Sequence, residues 1–440
     1  MSFDWQTQEE ISWDDPPPLV EEPMEPGPRR RRWPYVVLAI LVGAATAAFV
    51  IIRELNQRVD NAETEARLAV ISSYNVIQQA AADGDTELFV GFLSGRDVSW
   101  SSAQEEAVRE GVYLDRSGLG LQRLETVGSP AQTAEVTFSP DLTAAEMTVT
   151  EAYGVDIGNG LTETVQLRQT AVYRLGPNRW LLAPPESEFW GETQTSNGRY
   201  LTTTYPGRDA DIGRRLASDL DRKLIEMCEQ VVDLGCPPDL HIALDLTKDP
   251  SSLLPLNRAL ALGQLSLSLP TPTLIGVPLG ERDYRALQRG YGQSVVSAVI
   301  SELVGWVCCN NEIFYQAILD NQLQQLGLKS LPSIDYERVQ NNANQLDDLL
   351  SLWNIVGNSA PPEDWEMVYT LIEFLTHEAG IPASQLQREF DEITYRNWLL
   401  NVMGEGNASF NELEMEWQRF LDERVMSGVA AIYLLPYQGL

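Results

Sequence analysis

The chain has 440 residues, with 63 acidic side chains against 31 basic ones and a formal net charge of −32. An acidic excess of this size repels nucleic acid and anionic lipid headgroups, which removes both as partners of the acidic bulk. The length allows two or three domains with ample core, so the four cysteines are not required as a disulfide scaffold.

Residues 1–28 carry Asp4, Glu9, Glu10, Asp14, Asp15, Glu21, Glu22 and Glu25, no base, and six prolines. Such a segment buries too little apolar surface to offset its ordering entropy, so residues 1–32 are expected to be a disordered acidic tail. Phe3, Trp5, Ile11 and Trp13 stand out in it, either as a short docking motif or as part of a solvated tail.

Residues 33–52 (WPYVVLAILVGAATAAFVII) follow, preceded by Arg29, Arg30, Arg31 and Arg32 and free of charge until Arg53. At helical rise this run covers about 30 Å, the hydrocarbon thickness of a bilayer. The four arginines hold the N-terminal side in the cytoplasm. A cleaved signal peptide would use the small residues Ala45, Thr46 and Ala47, but the apolar run continues past them to Ile52. The expectation is one integral span in the plasma membrane, with the N-terminus cytoplasmic and the C-terminal bulk extracytoplasmic.

Residues 53–82 read as a juxtamembrane helix. Leu55, Val59, Ala62, Ala66, Ala69, Ser73, Val76 and Ala80 recur at alternating spacings of four and three. Asp83-Gly84-Asp85 ends it, and Thr86 opens a short second helix (ELFVGFLS). Strand patterns follow at 133–138, 146–153 and 165–175, the last turned by Gly176-Pro177-Asn178 into Trp180-Leu181-Leu182. A long helix, a short helix and several antiparallel strands describe a curved sheet around a helix. With AAADGDTELFVGFL at its start and RWLLAPPESEFWG at its end, the order over residues 65–191 resembles the nuclear transport factor two-like α+β cone. That resemblance implies a fold that often carries a pocket. No histidine lies in the region, so the usual acid–base partner is missing.

A boundary is expected near Gln194-Thr195-Ser196-Asn197-Gly198. Beyond it come a strand (YLTTTYP), an amphipathic helix over 209–232, a strand (LHIALDL) and a Pro/Leu-rich stretch (LSLSLPTPTLIGVPL). Helices follow, marked by Tyr284, Leu287, Tyr291, Val295 and Ala298, then by Trp365, Val368, Ile372 and Leu375. A last one carries Leu413, Trp417, Phe420 and Leu421, opened by the capping box Ser409-Phe410-Asn411-Glu412. The strand–helix–strand unit, the Pro-rich edge and a tail matching at Gly404, Gly406, Ser409, Phe410, Glu412, Leu413, Glu414, Trp417, Phe420 and Leu421 resemble the peptidase MA-like, or gluzincin, domain. Residues 198–440 are therefore expected to be a degenerate domain of that kind.

The chemistry of that family lies in His-Glu-x-x-His, two zinc-binding histidines and a water-activating glutamate. Here the matching helix reads Ser301-Glu302-Leu303-Val304-Gly305, and the following one offers Asp320 where the resemblance implies a third ligand. Ser301 and Gly305 cannot hold zinc, so no metal or other cofactor is expected. Glu302 sits in the apolar run VVSAVISELV and is expected to be buried. It then either marks a remnant ligand cleft with Ser301, Gly305 and Asp320, pairs with Arg285 or Arg289, or reaches the surface. His377 falls opposite its helix's apolar stripe, and His241 opens a strand.

An oxidising compartment favours a Cys228–Cys236 disulfide, with cross-pairing to Cys308 or Cys309 as the competitor. The fold class expected is α+β: one transmembrane helix, a cone domain with a curved antiparallel sheet, and a mostly helical gluzincin-like domain with a small sheet. The function expected is non-catalytic binding of an unknown protein or ligand outside the cell. An extracytoplasmic hydrolase around Glu302 and a signalling subunit with an acidic output tail are the alternatives.

Overall fold

The computed structural model describes residues 33–124, 134–158, 160–230, 235–257, 265–305, 312–346, 349, 352, 362–388, 398–399 and 410–434. The acidic tail, Arg29, Arg30, Arg31, Arg32, Cys308, Cys309, Gly404, Gly406 and Ser409 lie outside them. The fold is α+β with a curled antiparallel half-barrel sheet. The chain divides into two compact units, residues 1–62 and 63–440.

The first unit holds most of the apolar part of helix α1 (Trp33–Asp83). Leu38, Ile40, Leu41, Phe49 and Ile51 are all more than half exposed on it. The helix is long and apolar enough to cross a membrane. A helix satisfies its own backbone hydrogen bonds, so lipid can cover such side chains without further partners.

The second unit begins on the last turns of α1. Val70, Tyr74 and Ile77 pack with Val136, Met147, Val149, Tyr173 and Trp180 of the sheet. Helix α2 (Thr86–Val90) starts where Asp85 accepts from Leu88 N–H, and α3 (Val98–Arg109) where Asp97 accepts from Trp100 N–H. Both caps satisfy an otherwise orphaned donor. Two long strands, β3 (Ala144–Gly158) and β4 (Leu161–Leu175), form the centre of the sheet. Their register pairs Ala145 with Tyr173, Val149 with Gln169 and Tyr153 with Val165. The alternation of side chains across a strand sends this row inward. Strands β1 (Gln122–Arg123) and β2 (Glu135–Phe138) flank β3, and β5 (Trp180–Leu182) pairs with β4.

After α4 (Ser187–Trp190), a second sheet has the order β6 (Thr193–Asn197), β7 (Leu201–Pro206), β8 (Ile242–Thr247), β9 (Ser266–Pro270). The stretch expected as a boundary is therefore strand β6, paired antiparallel with β7. Helix α5 (Ala210–Gln230) carries the chain over to β8, parallel to β7. The Pro/Leu-rich stretch supplies β9, the single turn α6 (Pro272–Ile275) and β10 (Val277–Pro278). Strand β10 pairs with β4 of the first sheet, Val277 opposite Arg168 and Pro278 opposite Leu167.

Helix α7 (Glu281–Val304) is buried nearly all round. Its Leu287, Tyr291 and Val295 share a core with Leu119, Tyr153 and Leu167 of the half that holds the curled sheet and with Leu216, Ile242 and Leu244 of the following half. Helices α8 (Glu312–Gln325), α9 (Tyr336–Ala343), α10 (Pro362–Glu373), α11 (Ala383–Arg388) and α12 (Phe410–Leu434) build a separate core around Phe314, Val368, Trp398 and Trp417.

Two glycines mark where the halves of the shared core approach too closely for a side chain. Gly276, at φ 129°, would place a Cβ 2.7 Å from Leu167 Cβ. Gly290 of α7 would place one 2.6 Å from Leu119 O and 3.0 Å from Leu119 Cα. At Gly292 the obstacle is instead the far end of the Leu328 side chain, at 2.6 Å. Backbone cannot rotate away as a leucine methyl can. Gly290→Ala is therefore expected to cost about 1–3 kcal/mol, and Gly292→Ala less. Thermal unfolding of the two full-length variants checks the order, and a larger Tm loss for Gly292→Ala would contradict the packing described.

Candidate functional site

The residues singled out from the sequence do not converge. Ser301 is buried on α7, its hydroxyl 2.8 Å from Ser297 O and 2.8 Å from the Tyr315 hydroxyl of α8. Burial pushes Tyr315 up to about 12. Of the readings open for Glu302, the structure shows the one that reaches the surface: it is exposed and makes no ion pair among the described residues. It stands three residues before the C-cap, so the last turn of α7 turns it outward while Ser301 faces α8. Arg285, a proposed partner, lies beside Glu281 at 3.7 Å. Gly305 is the C-cap itself, at φ 65°, donating to Glu302 O and Ser301 O. It stands past the helical face on which a second ligand would sit.

Asp320 is buried and held by three donors. It takes Lys329 Nζ at 2.7 Å, the Tyr369 hydroxyl at 2.6 Å and the Gln316 amide. Burial, and then the Asp320 charge, push Tyr369 well above the usual tyrosine range. Among the described residues no group of three or more His, Cys, Asp or Glu side chains is placed to hold a metal ion. The donors that the gluzincin resemblance calls for do not fit zinc. His377 is exposed on its helix, and exposed His241 reaches Thr202 at the edge of β8. Cys228 and Cys236 are bonded, with Cα atoms 5.6 Å apart, tying the end of α5 to the segment before β8.

A cavity of about 100 Å³ opens instead inside the curled sheet. Helix α1 contributes Tyr74 and Gln78, α3 contributes Trp100 and Gln104, and the segment after α3 contributes Tyr113 and Arg116. The inward row of β3 and β4 supplies Met147, Val149, Gln169 and Tyr173. Leu253, Thr273 and Leu274 come from the following half. No single stretch of sequence contains the site. Only the register of β3 on β4 and the return of β10 to β4 bring these residues together.

Beside the cavity, buried Glu151 accepts from the Tyr74 hydroxyl at 2.5 Å and from Arg123 Nη2 at 3.2 Å. Burial first, then the Glu151 charge, raise Tyr74 far above the ordinary range. The Tyr153 hydroxyl donates to Leu114 O at 3.4 Å and accepts from the Gln169 amide. Tyr113 is pushed up to about 12 by burial, against the pull of Arg116 and Arg123. Among the described residues nothing hydrogen-bonds to the Tyr113 or Tyr173 hydroxyl or to the Gln104 amide. Polar groups that face a cavity in this way take water or a ligand.

Sequence reasoning missed this set. Its one legible signal is Arg116 and Asp115 standing as lone charges within GVYLDRSGLGL. Comparison with protein-family models, with curated proteins and with solved structures finds no match.

The tyrosines make a pH prediction. Their folded pKa values are raised from 10.0, to about 12 for Tyr113 and Tyr315, so the folded chain keeps protons that the unfolded chain releases. Stability is then complete below pH 10 and falls as pH rises from 10 through 12. Thermal unfolding of the full chain followed across that window should show a falling Tm, with tyrosinate absorbance appearing together with unfolding. A Tm unchanged from pH 9 to 12 would contradict the buried placement of these hydroxyls.

Proposed function

We propose that the chain is a membrane-anchored extracytoplasmic protein that binds a ligand or partner and does not catalyse. In this reading residues 33–52 span the membrane, Arg29, Arg30, Arg31 and Arg32 keep the N-terminus cytoplasmic, and the acidic bulk stands outside. The cone-like half provides the pocket, and the gluzincin-like half is a pseudo-peptidase frame.

The observation that carries the reading is the closure around Ser301. At the position where the resemblance places a zinc-binding histidine, a buried hydroxyl is held by Ser297 O and Tyr315. Glu302, the counterpart of the water-activating base, faces solvent. A glutamate without a Lewis acid beside it has no lowered-pKa water to deprotonate. Asp320, which might supply another oxygen ligand, is neutralised by Lys329. Tyr369 and Gln316 also donate to it, so three donors already hold this carboxylate.

The test uses the full chain purified in detergent. Metal analysis should find no stoichiometric zinc, and digestion of an unstructured protein substrate should show no chelator-sensitive cleavage. One zinc per chain, or cleavage abolished by chelator or by Glu302→Gln, would overturn the reading.

A further inference from the structure

Arg116 is 6% exposed, and its charge has no carboxylate partner among the described residues. Its Nη1 donates to Val112 O and Tyr113 O, both at 2.6 Å, and to Asp115 O at 3.0 Å. Nη2 reaches Leu274 O only at 3.5 Å, and Nε has no partner at all. Carbonyl oxygens orient a guanidinium, but they leave its full positive charge uncompensated. A buried charge without a counter-charge carries a penalty of several kcal/mol.

The acids nearby are already committed. Glu151 belongs to Arg123 and Tyr74. Asp209 accepts from the hydroxyls of Thr271 and Thr273. Asp115 Oδ1 accepts from the backbone N–H of Arg123 at 2.8 Å. In a chain with twice as many acids as bases, this arginine is not unpaired for want of carboxylates.

The unused donors are adjacent. Nε–H and the outer Nη2–H of a guanidinium lie side by side and match the two oxygens of a carboxylate. Arg116 lines the cavity, as do Tyr113, Tyr173 and Gln104, whose polar ends are also without partners. Met147, Val149 and Leu253 line the same cavity. A volume of about 100 Å³ suits a molecule of a few heavy atoms. A lining that combines a guanidinium without a counter-charge and apolar side chains selects a short amphipathic anion over inorganic phosphate. Burial raises Tyr113, and Arg116 and Arg123 act on it against that as positive neighbours.

We propose that the cone cavity binds a short aliphatic monocarboxylate, its carboxylate on the guanidinium of Arg116 and its chain against Met147, Val149 and Leu253. The ligand rests on the reading of this chain as a binding protein and names the chemistry that its pocket takes.

The test titrates the full chain in detergent with sodium propionate and sodium butyrate, following Tm. Sodium chloride, sodium phosphate and propionamide serve as matched controls. The carboxylates should raise Tm saturably, and the controls should not. Arg116→Met should abolish the shift, but it also strips donors from four carbonyls. Tyr113→Phe and Gln104→Leu are therefore the deciding variants. Neither loses a hydrogen bond within the protein, so the ligand-free Tm should hold or rise. Propionate affinity should fall about tenfold in each, the loss expected for one hydrogen bond to a charged group.

No saturable shift with either acid would overturn the proposal. So would an equal shift with chloride, phosphate or propionamide, or unchanged affinity in both deciding variants. These outcomes leave the pseudo-peptidase reading standing. That reading falls instead to zinc or chelator-sensitive cleavage, neither of which bears on Arg116.

Discussion

Buried Asp209 holds one short turn, with buried Arg116 at its far end, and the joining of the two sheets depends on where that turn is held. Asp209, at the start of α5, accepts from the Thr271 hydroxyl at 2.6 Å and from the Thr273 hydroxyl at 2.7 Å. Arg116, from the segment after α3, reaches Leu274 O on the same turn. Hydrogen bonds to charged groups contribute about 1.5–3 kcal/mol each, and a charge stranded by loss of its partners costs more. The Thr-Pro-Thr-Leu turn therefore has little freedom to leave. Held there, it delivers Gly276 against Leu167 and sets β10 on the edge of β4.

That placement has a consequence for the pocket. Leu253, Thr273 and Leu274 cover a cavity whose other walls belong to α1, α3 and the curled sheet. A cone-like half alone would leave this row of side chains open. Helix α7 then buries Tyr291 in the same core, its hydroxyl donating to Pro270 O at the end of β9. Ser301 is a contact with α8, and Gly305 is a helix stop.

What could be read from the chain was what repeats along it. The α1 spacing through Ala66, Ser73 and Ala80, the alternation from Val165 to Leu175, and the amphipathic α5 all declare their elements through period. Strand β6 escaped because Thr-Gln-Thr-Ser-Asn is polar throughout and becomes a strand only by pairing with β7. Strands β9 and β10 escaped for a related reason. Pieces of five and two residues beside prolines are too short for their pattern to decide, although Ser266 to Leu269 alternates, and their identity comes from the neighbours that they join. Glu302 misled because its sequence neighbours are apolar, whereas its exposure follows from standing in the last turn of the helix. The cavity was the least legible feature, since residues from 74 to 274 meet there only once β3 and β4 are in register. The disulfide partners, by contrast, stand close in sequence, with Cys228 on a helix whose end was readable.

The central claim is that the cone-like half and the half that follows it fold as one structure joined through the Thr271–Leu274 turn. Native-state hydrogen exchange on the full chain tests this most directly. Core amides of β3 and β4, of α5 and β8, and of α7 should open with one common free energy, as members of a single cooperative unit do. Exchange of the β3 and β4 amides at a distinctly lower free energy, while β8 and α7 stay protected, would contradict it.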